Sequence, residues 1–296
     1  MSNTLGGINL TVIAQDGLTT LLSDFPLINT FTTNFGGDIA QKGEAVTTRI
    51  ASAVSATDIG ANGYAVSNVT STAKTVTLNK HKGFVMGFDD GEVAKGGYDM
   101  LKRTFLRPAA HATVKAIMDD VFALVDATNF TSVGYNSTAA AFDADSVASL
   151  SQVLTDLNNP QEGRTLLVKP ALYTSLAKDN AIQAQYASGT NAPLTENLLP
   201  RIHGFTVRQY SDLPATVANQ KGIAFTPEAI LIATRLPALP QNWYGNVATA
   251  TDEKSGLSIQ VREWYDGNEG KQKLSMSLLY GVAVGNPNCL TRIIAS

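Results

Sequence analysis

The sequence predicts an α+β chain, and three observations carry that prediction. A long amphipathic helix lies early in the chain: Val114, Ile117, Met118, Val121, Phe122 and Val125 fall on one stripe at helical spacing. At the C-terminal end, Leu274, Met276, Leu278, Tyr280, Val282 and Val284 alternate without interruption, as in a half-buried strand. Between these segments, helical and strand patterns alternate. A sheet of sequence-distant strands packed on a long helix is an α+β arrangement. The chain has 296 residues, 44% of them hydrophobic, enough for one large core or two smaller ones.

Residues 1–42 read as an arm. Val12, Ile13, Leu18, Leu21, Leu22, Phe25, Leu27 and Ile28 form apolar patches, Pro26 limits any helix, and Gly36-Gly37 ends the stretch. Such a segment has more apolar surface than it can bury against itself. It packs either on its own domain or on a neighbour. In residues 43–88, Val46, Thr48 and Ile50 alternate with Thr47, Arg49 and Ala51, and Val76 and Leu78 alternate with Thr75 and Thr77. Between them runs a small-residue, polar stretch with the turn pair Asn62-Gly63. The pattern is a long two-stranded hairpin, and an isolated ribbon is only marginally stable, so this one must lean on something. Phe84, Met86 and Phe88 form a further strand, and Asp89-Asp90 marks its junction with a helix.

The helical signal spans residues 92–129, with Leu101 and Phe105 extending the stripe and Pro108 predicting a kink or a break. Asp119-Asp120 reads as a solvated face. Between residues 95 and 115, Lys95, Lys102, Arg103, Arg107 and Lys115 stand against Asp99 alone. That basic cluster is either a solvated helix face or a surface toward nucleic acid. Further on, Val147, Leu150, Leu154 and Leu157 mark a helix capped by Asp143 or Asp145. Leu166-Leu167-Val168 is a short buried strand stopped by Pro170, and a helix runs from Ala171 to Lys178. Ile182 to Pro200 reads as a loop, Phe205 and Val207 as a strand, and Ile223-Ala224-Phe225 as apolar chain leading to Thr226-Pro227-Glu228, a helix-start pattern. Ala229 to Ala233 fits helix or strand. Leu257, Ile259 and Val261 then pair through the turn Asp266-Gly267-Asn268 with the terminal strand.

Composition and motifs bound the function. With 22 Lys+Arg against 25 Asp+Glu the chain is no dedicated nucleic-acid binder, although a locally basic face fits within that balance. No apolar run approaches the roughly 20 residues of a membrane helix. The start has no basic or apolar leader segments, and the single Cys289 excludes an internal disulfide, which fits a reducing cytoplasm. His81, His111 and His203 have no metal-ligand spacing, and there is no nucleophile elbow. Gly267-Asn-Glu-Gly270-Lys271 is too short for a phosphate loop and reads as a hairpin turn. No catalytic, cofactor-binding or metal-ligating residue is assigned, and the expectation is a protein that is not an enzyme and needs no cofactor.

The order of elements resembles that of the major capsid proteins of tailed bacteriophages, a fold shared with encapsulins and the herpesvirus capsid floor. Three stretches carry the likeness. Gly36-Gly37-Asp38 through Lys42-Gly43-Glu44-Ala45-Val46-Thr47-Thr48-Arg49-Ile50 is similar to the family's entry into its extended hairpin. Pro108-Ala109-Ala110-His111-Ala112, continuing to Ile117-Met118-Asp119, is similar to the helix that follows. Arg164 to Tyr173, then Ile202-His203-Gly204-Phe205-Thr206-Val207 and Leu213-Pro214, resemble strand–Pro–helix and G-F-x-V … L-P segments of the axial domain.

The resemblance implies an N-terminal arm (1–42) reaching over a neighbour and an extended hairpin loop (43–83) lying across the adjacent subunit. It implies a peripheral domain with a spine helix (84–130 and 250–296) and an axial α/β domain (131–249). Arg49, Asp58, Lys74 and Lys80 become candidates for contacts between subunits, and Lys102, Arg103 and Arg107 for a face toward the genome. Lys74 or Lys80 is in place for the covalent cross-link some members form, although neither matches a motif and an ordinary charged residue is the simpler reading. The implied partners are further copies of the chain in pentamers and hexamers, portal and scaffolding or decoration proteins, and packaged DNA held non-specifically. The implied location is the virion shell, assembled in the host cytoplasm. An encapsulin-type compartment is the near alternative. A tail or binding module is the distant one, because it would lack the long helix.

Overall fold

The computed structural model describes residues 10–24, 27–51, 71–96, 98–185, 199–213, 219–252 and 256–296, with backbone alone at 21–24, 35–37, 50–51, 96, 98–103, 107 and 183–185. In chain order the elements are α1 (Leu10–Asp24), β1 (Thr32–Ala40), β2 (Ala45–Ala51), β3 (Ser71–Thr77), β4 (Lys80–Asp89), α2 (Asp90–Gly96) and α3 (Tyr98–Phe122). There follow β5 (Val133–Ser137), α4 (Ala144–Asp156), β6 (Thr165–Val168), α5 (Pro170–Lys178), α6 (Asn180–Gln185), β7 (Thr206–Gln209), β8 (Gln220–Phe225) and β9 (Ile230–Pro237). The chain ends with β10 (Asn246–Thr251), β11 (Ser258–Asp266), β12 (Lys271–Val284) and β13 (Leu290–Ala295).

Two sheets organise these elements. The first runs β1-β9-β12-β11-β10, with β4 also on β12. Leu279 and Tyr280 pair with both β4 and β9, so β9 lies on the edge of β12 opposite β4, end to end with β11. The second sheet runs β5-β13-β8-β6-β7. One face of the first sheet carries both α1 and α3. Ile13, Ala14 and Leu18 of α1 share a core with Val114, Met118, Val121 and Phe122 of α3 and with Ile259, Val261, Leu274, Met276 and Leu278. The predicted helical stripe and the predicted alternating strand are therefore the two sides of one core.

The second sheet separates that core from another. Leu167, Ile223 and Phe225 face the first core, whereas Leu166, Val168 and Ala224 face a second one built with Val147, Leu150 and Leu154 of α4 and Leu172 and Leu176 of α5. Burial on both faces explains why Leu166-Leu167-Val168 and Ile223-Ala224-Phe225 are continuously apolar instead of alternating. The same reason resolves Ala229 to Ala233. Ile230 and Ile232 enter the main core, Leu231 and Ala233 enter a third cluster on the opposite face, and the segment is strand β9. Thr226-Pro227-Glu228 opens only a single 3-10 turn, Pro227–Ala229, before it.

Several expectations are corrected. The described part of the apolar arm packs within its own chain: α1 covers β10 and β11, and β1 pairs in parallel with β9. Helix α3 continues through Pro108, so the proline does not break it. A proline inside a helix costs about 3 kcal/mol. Burial of Leu106, Ala110, Val114 and Ile117 around it offsets that cost. Strand β9, from the stretch expected to be axial, belongs to the first sheet, and β13, from the stretch expected to be peripheral, belongs to the second. Pairing follows which edge and face remain to be buried, a property that sequence order does not carry. Ile182 lies in the short helix α6 instead of a loop, and residues 186–198 lie outside the described residues. Asp143 is the cap of α4: its side chain accepts from the Ser146 N–H at 2.8 Å.

Candidate assembly surface

The hairpin projects as a ribbon. β2 and β3 pair only with each other, from Ala45↔Thr77 to Ala51↔Ser71. Along it, Arg49 stands opposite Ala73 and Lys74 opposite Thr48, and the described side chains are exposed or half-buried except Val76. Its base leans on the first sheet. Val76 and Leu78 are buried with Leu231, Ala233 and Leu279, and the Gly43 N–H donates to the Leu78 carbonyl at 2.8 Å. Gly281 makes this approach possible, since a Cβ there would come within 2.2 Å of the Thr77 carbonyl oxygen. Asp58 and the turn Asn62-Gly63 lie outside the described residues.

Just past the base, an ionic clamp ties the hairpin's exit to the long helix. Lys80 Nζ lies 2.7 Å from Asp120 Oδ1 and Lys82 Nζ 2.6 Å from Asp120 Oδ2, and Lys82 also donates to the Ala116 carbonyl. The Tyr280 hydroxyl donates to the same carboxylate. Burial pushes the Asp120 carboxyl up, but the hydrogen bonds from Lys80, Lys82 and Tyr280 outweigh it and hold it below the ordinary carboxylate range. Burial, then the bond to Asp120, raises the Tyr280 phenol. Asp120 is therefore not the solvated residue expected, and Lys80 is engaged within its own chain. Of the basic cluster on the helix, Lys115 is paired with Asp212 at 2.6 Å, and Lys95 is exposed. Lys102, Arg103 and Arg107 lie on α3 with side chains outside the described residues.

The sheet face opposite the helices holds a feature that the sequence reading missed. On β4, Phe84, Met86 and Phe88 point inward, so His81, Gly83 and Val85 point outward. They join Ser275 and Ser277 of β12, Arg262 and Trp264 of β11, and Trp243 around a concavity of about 320 Å³. The two indoles meet edge to face at 5.3 Å, and the Arg262 guanidinium lies 5.3 Å from the centre of the Trp243 ring. Arg262 Nε donates to Gln260 Oε1 at 2.7 Å, and no carboxylate pairs with it among the described residues. Burial lowers its pKa. Burial, and then the charges of Arg262 and Lys42, push the His81 imidazole down as well. A usable signal was present: the chain's two tryptophans, one of them on the outward positions of β11. No group of His, Cys, Asp and Glu among the described residues has metal-binding geometry, and no helix among them is long and apolar enough to cross a membrane.

Comparison with solved structures shows that this two-sheet body, with a long helix under one sheet and a ribbon beside it, has the fold of phage capsid chains. The chain is similar to one from the capsid of cyanophage P-SCSP1u, with a TM-score of 0.62, 13% identity, and 90% of this chain and 86% of that one covered. It is similar to a chain of the mature capsid of bacteriophage PhiM1, with a TM-score of 0.57, 12% identity and coverages of 90% and 86%. A virus-like particle from Pyrococcus furiosus matches with a TM-score of 0.54, 11% identity and coverages of 97% and 100%. No family model matches the sequence, and no curated protein matches it.

Proposed function

We propose that this chain is a structural protein, the subunit of a closed shell. It is the major capsid protein of a tailed phage, associating through pentamers and hexamers into an icosahedral particle around double-stranded DNA. The observation that carries this reading is the ribbon. Two strands that pair with no other strand among the described residues, one face exposed and the other half-buried beyond Val76, are marginal in a monomer and a natural contact for a neighbour. The fold likeness to capsid chains over about nine-tenths of the sequence supports the same reading. Arg49, Asp58 and Lys74 on the hairpin then contact the adjacent subunit, portal and scaffolding or decoration proteins are further partners, and assembly occurs in the host cytoplasm. The match to the Pyrococcus particle keeps an encapsulin-type compartment as the second reading.

Sedimentation of the purified protein, followed by negative-stain electron microscopy of the pellet, tests this. Polyhedral shells or ring-shaped capsomers are expected; a protein that stays monomeric with and without its neighbouring phage proteins overturns the reading. Replacing residues 52–70 by Asn-Gly closes the ribbon in register, because Ala51 already faces Ser71. That variant is expected to fold, with an unchanged circular dichroism spectrum, and to form no shells. Double-stranded DNA inside native particles distinguishes a capsid from a cargo compartment.

A further inference from the structure

We propose that the concavity of Trp243, Arg262 and Trp264 receives the hairpin tip of a second copy of this chain, with Asp58 of the partner subunit seated on the Arg262 guanidinium. This rests on the shell-subunit reading and adds the receiving surface to it. The floor is shallow chain: Gly83, Ser275 and Ser277 bring little side-chain bulk between the indoles and Val85, which is 64% exposed. A Cβ at Gly83 would lie 2.1 Å from the Met276 carbonyl oxygen, so this strand cannot fill the hollow from below. Tyr244, next to Trp243, is 85% exposed. Aromatic side chains and an arginine gathered on one surface are the composition of interface hot spots.

Charge selects the occupant. Arg262 is partly desolvated and has no carboxylate partner among the described residues, and His81 beside it adds no negative charge. Residues 51–70 carry a single charged side chain, Asp58, within an otherwise small and apolar stretch containing Val54, Ile59, Tyr64 and Val66. Such a segment offers one carboxylate and several apolar groups, the complement of one guanidinium between two indoles and a valine. Geometry directs the tip to another copy. The seven residues of β2 carry the described end of the ribbon, Ala51 and Ser71, roughly 20 Å from its base, and residues 52–70 continue from there. The concavity begins at His81, close to that base. Donor and receiver are different parts of the chain, so the contact is head-to-tail and propagates around a ring.

Charge exchange provides the test. Arg262→Glu and Asp58→Arg are each expected to lower the yield of sedimenting assemblies about ten-fold or more, and the double variant is expected to restore it to within about two-fold of the parent. Each variant is also unfolded in urea, and a loss of assembly with an unchanged urea midpoint is read as a lost contact. If the parent protein forms shells and either single variant assembles at the parental yield, or the double variant fails to recover, the docking is wrong and the shell reading stands. If the parent stays monomeric with and without its neighbouring phage proteins, the shell reading itself fails and the docking with it.

Discussion

Among the described residues Arg164 is the largest fully buried side chain, 1% exposed, and no carboxylate among them neutralises it. Its donors instead meet Pro160 O, Ser151 O and Oγ, Thr155 Oγ1 and Asn159 O at 2.8–3.0 Å. These acceptors cluster at the C-terminal end of α4, where the helix dipole is negative. Replacing it leaves buried carbonyls without donors, so Arg164→Met is expected to lower stability by about 3 kcal/mol, with Arg164→Lys recovering less than half. Urea denaturation measures both, and a methionine variant as stable as the parent would refute this account. Asp120 makes a pH-dependent contribution. Its carboxyl is held down in the fold, so the stability it provides is present above the ordinary carboxylate pKa and is lost as pH falls through the folded one. Lys80 and Lys82 are 31% and 39% exposed, and solvent screens the pairs. Asp120→Asn should therefore cost only about 1 kcal/mol near neutral pH. The difference from the parent should shrink in acid.

At the scale of elements, period and chemistry made most of the fold legible. The stripe from Val114 to Phe122, the alternation from Leu274 to Val284, the Asp89-Asp90 junction and the hairpin of β2 and β3 all stand where residue types placed them. The helix expected to reach residue 129, however, ends at Phe122, and Val125 enters the same core from the chain beyond it. Elements buried on both faces were harder, because a fully apolar run such as Ile230 to Ala233 has no period to read. Pro108 misled for a different reason: helix propensity is a local term, and packing of α3 against α1 and the first sheet overrides it. Nothing local marked Gly281 as the contact with the ribbon. Gly281→Ala is expected to push the hairpin base off the sheet and lower the melting temperature by several degrees, whereas Gly267→Ala, with open space around it, should change it little. Equal melting temperatures for the two variants would remove Gly281 from this role.

For the whole molecule, the arm that the sequence left between two placements is covered by its own chain. Among the described residues, the ribbon and the outer sheet face are left for a neighbour. The basic residues of α3 belong to the same scale. Lys115 is already paired with Asp212, so Lys102, Arg103 and Arg107 are the ones whose replacement by serine should reduce nucleic acid per particle while leaving shells intact. Particles with parental nucleic-acid content would leave them as ordinary solvated charges. By itself the sequence determined the α+β class, the long helix, the ribbon and the terminal strand pair, because periodicity and turn chemistry are written in neighbouring residues. Only the tertiary structure decided that β9 and β13 exchange sheets, that Lys80 belongs to Asp120, and that Trp243, Arg262 and Trp264 share one hollow. Those outcomes depend on which faces and edges meet across some twenty to two hundred residues of chain, and no local pattern encodes that meeting.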